Sequence, residues 1–128
     1  MLKIFIADDS LVIREKLRET LEDHPTLKVV GDCGDSEQAI MKICQLDPDV
    51  AIIDVRMPGG GGMPVLKDFK FRAPDRIAII LTSFALPEYR KVYLEAGADY
   101  FFDKTQDIPK MVGVLAELAS QHEGSELE

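Results

Sequence analysis

Short apolar runs bounded by acids, glycine or proline recur along this chain, and a longer stretch with helical spacing follows each of them. That alternation confines the chain to a parallel sheet, because successive parallel strands need a return connection that a helix supplies. The predicted strands are Lys3–Ala7, Leu27–Gly31, Val50–Ile53, Ile77–Leu81 and Tyr100–Phe102. Their unbroken Val, Ile and Leu character fits strands covered on both faces rather than one.

Between the strands, Leu11, Ile13, Leu17 and Leu21 are assigned to one apolar helix face, and Ala39, Ile40, Ile43 and Leu46 to another. Further helices are predicted over Met63–Phe71, Pro87–Ala96 and Ile108–Ser120, with Pro64 and Pro87 tolerated in first turns and Gly97 at a helix C-cap position. The segments from Leu46 to Val50 and from Ala73 to Ile77 read as helix-to-strand turns, in which a proline stops the helix. No repeat or linker divides the chain. One domain over residues 1–121 is expected, followed by a flexible polar tail over 122–128.

With 128 residues, 46% hydrophobic and 30% charged, the chain has the size and composition of one ordinary globular domain. No stretch approaches the roughly 20 apolar residues that span a bilayer, and the N-terminus lacks the pattern of a secretion signal, so a cytoplasmic location is expected. A net charge of −8 opposes direct contact with nucleic acid or an anionic membrane surface. Cys33 and Cys44 have no metal-binding or redox spacing and are expected to be reduced thiols. No role is assigned to His24 or His122.

In open parallel sheets, ligands bind beyond the carboxyl ends of the strands, where loops diverge and helix N-termini point outward. Here the first strand ends in Asp8-Asp9, the third in Asp54 and the fourth in Thr82, while Lys104 follows the fifth. Taken singly, each residue has a plain reading as a helix cap, a strand end or a solvated lysine. Together they place three carboxylates, a hydroxyl and an ammonium on one rim, where the acids repel one another unless a cation sits among them. Oxygen ligands of this kind suit Mg²⁺ with an open coordination position.

Along nearly its whole length the chain resembles the receiver domains of bacterial two-component response regulators. The resemblance rests on Ile6-Ala7-Asp8-Asp9, Ile53-Asp54-Val55-Arg56-Met57-Pro58-Gly59, Leu81-Thr82-Ser83, Glu95-Ala96-Gly97-Ala98-Asp99-Tyr100 and Lys104, in this order and with helix-sized gaps. It implies a flavodoxin-like, doubly wound α/β fold with strand order 2-1-3-4-5 and five helices. It also implies that Asp54 is the phosphoacceptor, that Asp9 ligates Mg²⁺ directly, and that Asp8 ligates it through water or supports the direct ligands from behind. Arg56 would supply its backbone carbonyl to the metal, and Thr82 and Lys104 would bind phosphoryl oxygens. Thr82 and Phe101 would form the switch. The implied donor is a phosphohistidine on a sensor histidine kinase or phosphotransfer protein, or a small acyl phosphate. The implied receiver of the signal is a downstream protein target or an output domain, with a phosphorylation-dependent dimer as one form of the active state.

The chain departs from the family pattern at Thr105, where proline often follows the lysine, and in the run Gly59–Gly62, which lacks the Gly-Lys-Ser/Thr signature of a phosphate-binding loop and is expected to be flexible. Arg56 and Phe84 lie two residues after Asp54 and Thr82, positions whose side chains approach the phosphoryl group in similar domains, and the bulk of Phe84 is expected to restrict attacking water.

Other functions compete with a switch. A Mg²⁺-dependent phosphatase of the haloacid-dehalogenase type also uses an aspartate nucleophile, but its first-strand acids alternate whereas Asp8 and Asp9 adjoin. A phosphate-independent adaptor would not need the full set of acids and the lysine. Flavin binding rests on shared architecture alone, and fold does not dictate function.

Overall fold

Successive side chains of a strand point to opposite faces, so unbroken apolar runs call for a cover on both. The chain forms that arrangement in a computed structural model, which describes residues 1–127, with side chains through residue 124. The strands are β1 (Leu2–Ala7), β2 (Leu27–Cys33), β3 (Val50–Ile53), β4 (Ile77–Thr82) and β5 (Tyr100–Asp103). The helices are α1 (Leu11–Glu22), α2 (Ser36–Leu46), α3 (Gly62–Arg72), α4 (Pro87–Glu95) and α5 (Ile108–Leu127). All strand pairs are parallel, in the order β2-β1-β3-β4-β5. The fold is therefore the flavodoxin-like one that the resemblance implied.

Two apolar layers flank the sheet. Ile4, Ile6, Ile52, Ile79, Leu81 and Phe102 face Leu17 and Leu21 of α1 and Met111, Leu115 and Ala119 of α5. The intervening residues, including Phe5, Ala51, Ile53, Ile80 and Phe101, face Ala39 and Ile43 of α2, Val65, Leu66 and Phe69 of α3 and Tyr93 of α4. Burial on both sides, at roughly 25 cal/mol per Å² of apolar surface, is the main force holding the strands together.

Several boundaries differ from the sequence expectation. Leu11 is 57% exposed and does not join the α1 core face, because it lies two residues from Ile13 and about 200° around the helix from it. Strand β2 continues past Gly31 to Cys33, since Asp32 and Cys33 still pair with Ile6 and Ala7. Helix α5 runs past Ser120 to Leu127, through most of the segment assigned to a tail, and the Met1 amino group pairs with Glu123 at 2.8 Å. Glu128 lies outside the described residues. Gly97 sits one position beyond the α4 C-cap, Ala96, with φ of +114°. Every peptide bond among the described residues is trans, Lys104–Thr105 included. Cys33 is buried and Cys44 exposed, and both are free thiols. No helix among the described residues is long and apolar enough to cross a membrane.

Two aspartates fasten the strand starts at the edge away from the carboxyl ends. Asp49 accepts the Lys3 N–H at 2.8 Å and the Arg76 guanidinium, and Asp99 accepts the Ala78 N–H at 2.8 Å and Lys70 Nζ at 3.0 Å. Replacing Asp49 by Ala leaves the Lys3 N–H without its acceptor and Arg76 with Asp47 as its remaining carboxylate partner. Urea unfolding of Asp49→Ala is expected to show a loss of about 2 kcal/mol.

Candidate metal and phosphoryl site

The sheet register brings the acidic strand ends together. Ala7 pairs with Ile53, and the Asp54 N–H bonds the Ala7 carbonyl at 2.9 Å, so Asp8 and Asp54 leave adjacent strands side by side. Ser10 then starts α1, its hydroxyl accepting the Ile13 N–H, while Asp8 Oδ1 accepts the Ser10 N–H at 2.9 Å. This local capping fixes Asp8 inward and leaves Asp9 exposed on the rim. Carboxylate oxygens of Asp8, Asp9 and Asp54 lie within 4.8 Å of one another.

Lys104 reaches this cluster from the far side. Its N–H bonds the Thr82 carbonyl at 3.0 Å, which continues the β4–β5 ladder beyond Asp103 and aims the side chain across two strands. Nζ contacts Asp54 Oδ2 at 2.8 Å and Asp8 Oδ2 at 2.5 Å. Burial pushes the Asp8 carboxyl above its ordinary pKa, and hydrogen bonds from Lys104 and Ser10 offset part of that rise. Burial alone would lower the Lys104 ammonium, but its bonds to Asp54 and Asp8 outweigh this and hold it above the ordinary lysine value. A persistent ammonium is the result.

One ammonium against three carboxylates leaves an excess of two negative charges, which is the charge of one divalent cation. A second observation agrees. Among the described residues, Asp54 Oδ1 is the one buried side-chain oxygen or nitrogen without a hydrogen-bond partner, although Asp54 is only 5% exposed. Buried polar atoms are ordinarily satisfied, so an open carboxylate oxygen beside two further acids fits a hard cation and its waters.

Thr82 is fully buried at the end of β4, and its hydroxyl accepts the Phe84 N–H at 3.1 Å. Phe101 is 6% exposed, with its ring 6.5 Å from that of Tyr93. Arg56 extends over the Phe84 ring, its guanidinium carbon 3.6 Å from the centroid, and this cation–π contact ties the loop after Asp54 to the loop after Thr82. Sequence places both residues near the site but gives no sign that they stack.

The glycine run is better defined than a flexible loop. Gly59, Gly60 and Gly61 have φ of +87°, +120° and +78°, and a Cβ on Gly62 would fall 2.3 Å from the Asp54 carbonyl. Hydrogen bonds from Gly61 N–H to Met57, from Gly62 N–H to Val55 and from the Ser36 hydroxyl to the Gly61 carbonyl close the turn. Gly61 offers α3 no capping side chain. The hydroxyl of buried Tyr93 stands near the start of α3, close to the N–H groups of Met63 and Gly62. Burial raises the pKa of that hydroxyl, and the nearby charge of Asp54 pushes it the same way. Ser36 and Tyr93 went unnoticed in the sequence, since nothing in a linear pattern reports that α2 and α4 meet this turn.

The family model of the response regulator receiver domain matches residues 4–116. Over 104 residues the chain is 38% identical to the DNA-binding transcriptional activator DevR/DosR of Mycobacterium tuberculosis, covering 81% of the chain and 48% of that protein. Over 110 residues it is 36% identical to a protein-glutamate methylesterase/protein-glutamine glutaminase of Pseudoalteromonas atlantica, covering 83% of the chain and 28% of that enzyme. The chain thus spans about half or less of the length of these curated relatives. The response regulator domain of Thermotoga maritima CheB superposes with a TM-score of 0.82 at 26% identity, covering 94% of this chain and 95% of that one.

Because Lys104 holds two buried carboxylates at once, its loss is costly. Lys104→Met is expected to lower the unfolding free energy by about 3 kcal/mol in the absence of divalent cations, read from a shifted urea midpoint.

Proposed function

Since the chain belongs to the response regulator receiver domain family, we propose that it is a Mg²⁺-dependent switch that accepts a phosphoryl group on Asp54. The observation that carries this reading is the buried Asp54 carboxylate, with one oxygen on Lys104 and the other without a partner beside Asp8 and Asp9. Asp8, Asp9, Asp54 and the backbone carbonyl of Arg56 would hold the ion. When bound, the ion supplies cancellation of charge on the transferring phosphoryl oxygens.

The remaining work falls to the side chains. An Asp54 oxygen attacks phosphorus while the bond from phosphorus to the donor breaks, the donor being a phosphohistidine of a sensor histidine kinase or phosphotransfer protein, or a small acyl phosphate. The histidine nitrogen or acyl oxygen leaves with the bonding pair. Lys104 pairs with one phosphoryl oxygen and Thr82 donates its hydroxyl to another. A phosphoryl group brings roughly two negative charges and three acceptor oxygens, enough to draw Thr82 from its present bond with the Phe84 amide. Phe101 follows on the neighbouring strand. Arg90 of α4 already donates to the Phe101 carbonyl at 3.2 Å, which gives the shift a route to the surface of α4, β5 and α5. The phosphate redistributes two states only by the difference in its affinity for them.

This makes the chain a stoichiometric switch rather than a turnover enzyme, acting in the cytoplasm through a downstream protein target or an output domain, with no direct hold on nucleic acid or membrane. A phosphorylation-dependent dimer is one form of that output. Residues 1–121 constitute the receiver unit, and its last helix continues to Leu127. The relatives' outputs differ, one a transcriptional activator and another a methylesterase, so the output follows from the partner and not from this fold.

Intact mass after treatment with acetyl phosphate and Mg²⁺ is expected to show one labile phosphoryl adduct on the wild type and none on Asp54→Ala. Acid-stable labelling that survives the substitution would sink the assignment. In this reading the bulk of Phe84 restricts the water that attacks phosphoaspartate, so Phe84→Ala is expected to shorten the phosphoaspartate lifetime several-fold by admitting water. An unchanged decay rate would remove Phe84 from the mechanism.

A further inference from the structure

Asp8 and Asp9 are presented by the β1–α1 turn, and that turn is gripped from behind by a side chain outside the acidic cluster. Arg14, in the first turn of α1, donates from Nη1 to the Asp8 main-chain carbonyl at 2.6 Å and from Nε to Asp32 Oδ2 at 3.0 Å. Its side chain is only 15% exposed. Asp32 lies near the end of β2 and is also approached by Arg18 at 3.7 Å, so the carboxylate that anchors Arg14 is itself fixed. Gly34 provides the space: a Cβ there would stand 2.8 Å from Arg14 Nη1 and 3.6 Å from both the Asp8 carbonyl and Asp9 Cα.

We propose that Arg14 is a positioning residue for the cation site, clamping the Asp8 carbonyl so that the Asp8 and Asp9 carboxylates are already gathered when the ion arrives. This rests on the reading of Asp8, Asp9 and Asp54 as cation ligands. Its physical signature is a sign. A guanidinium beside an acidic cluster repels an incoming cation, so on charge alone its removal should tighten cation binding. Removing a clamp that orients ligands has the opposite effect, as loss of the groups that orient metal ligands generally does.

Mg²⁺ titration calorimetry on the whole chain, with far-UV circular dichroism as the check on folding, separates the two. Arg14→Met is expected to bind Mg²⁺ about tenfold more weakly than the wild type. Gly34→Ala keeps every charge, needs no positive φ and displaces only the tip of Arg14, and it is expected to weaken binding in the same direction. It also keeps the test intact if Arg14→Met does not fold. Tighter or unchanged binding by Arg14→Met, or wild-type affinity in Gly34→Ala, overturns the assignment. A flat wild-type isotherm would instead remove the cation reading and the clamp with it, whereas a normal wild-type isotherm beside unaltered variants removes the clamp alone.

Discussion

Carboxylates delivered by neighbouring strands to the same edge of a sheet repel one another, and in this chain Lys104 makes their proximity tolerable. Its ammonium contacts Asp54 and Asp8 together at the end of a lever built from the β4–β5 ladder. The placement is not accidental to the fold. All five strands run the same way, so their carboxyl ends share one rim, and the hydrogen bonds that extend the ladders by one residue set Asp54 beside Asp8 and carry Lys104 one residue past the Thr82–Asp103 pair. The two-sided apolar packing keeps the rim rigid. The lysine answers only part of the charge, and the remainder is what the proposed cation would neutralise.

Around that centre, polar contacts tie separate loops to one another. Arg56 over Phe84 joins the loops after β3 and β4, Tyr93 joins α4 to the start of α3, Ser36 joins α2 to the glycine turn, and Arg14 joins α1 to the end of β1. A charge added at Asp54 therefore meets a shell whose members are connected to most of the helices, and a small local displacement has structural partners in several directions.

The sheet was legible in the sequence because continuous Val, Ile and Leu runs have few other uses in a chain of this composition. The acids and Lys104 were legible because they fall at the ends of those runs. What escaped depends on distances between segments remote in sequence. Leu11 looked like a core residue until the turn of the helix carried it to solvent. The end of α5 was misjudged because Gln121, His122 and Glu123 are polar, although none of them opposes a helix. Gly59 to Gly62 read as looseness, while each in fact answers a particular backbone angle or a close approach to Asp54. Arg14 and Ser36 act on main-chain groups, and a partner of that kind leaves no complementary residue type to find.

Tyr93 has one more consequence. The chain has no tryptophan and three tyrosines, so its near-ultraviolet absorption and intrinsic emission come chiefly from Tyr89, Tyr93 and Tyr100. One of these chromophores, Tyr93, has its hydroxyl near the turn that follows Asp54 and its ring 6.5 Å from that of Phe101. The molecule thus carries a native chromophore in its own core, close enough to Asp54 for that carboxylate's charge to act on its hydroxyl.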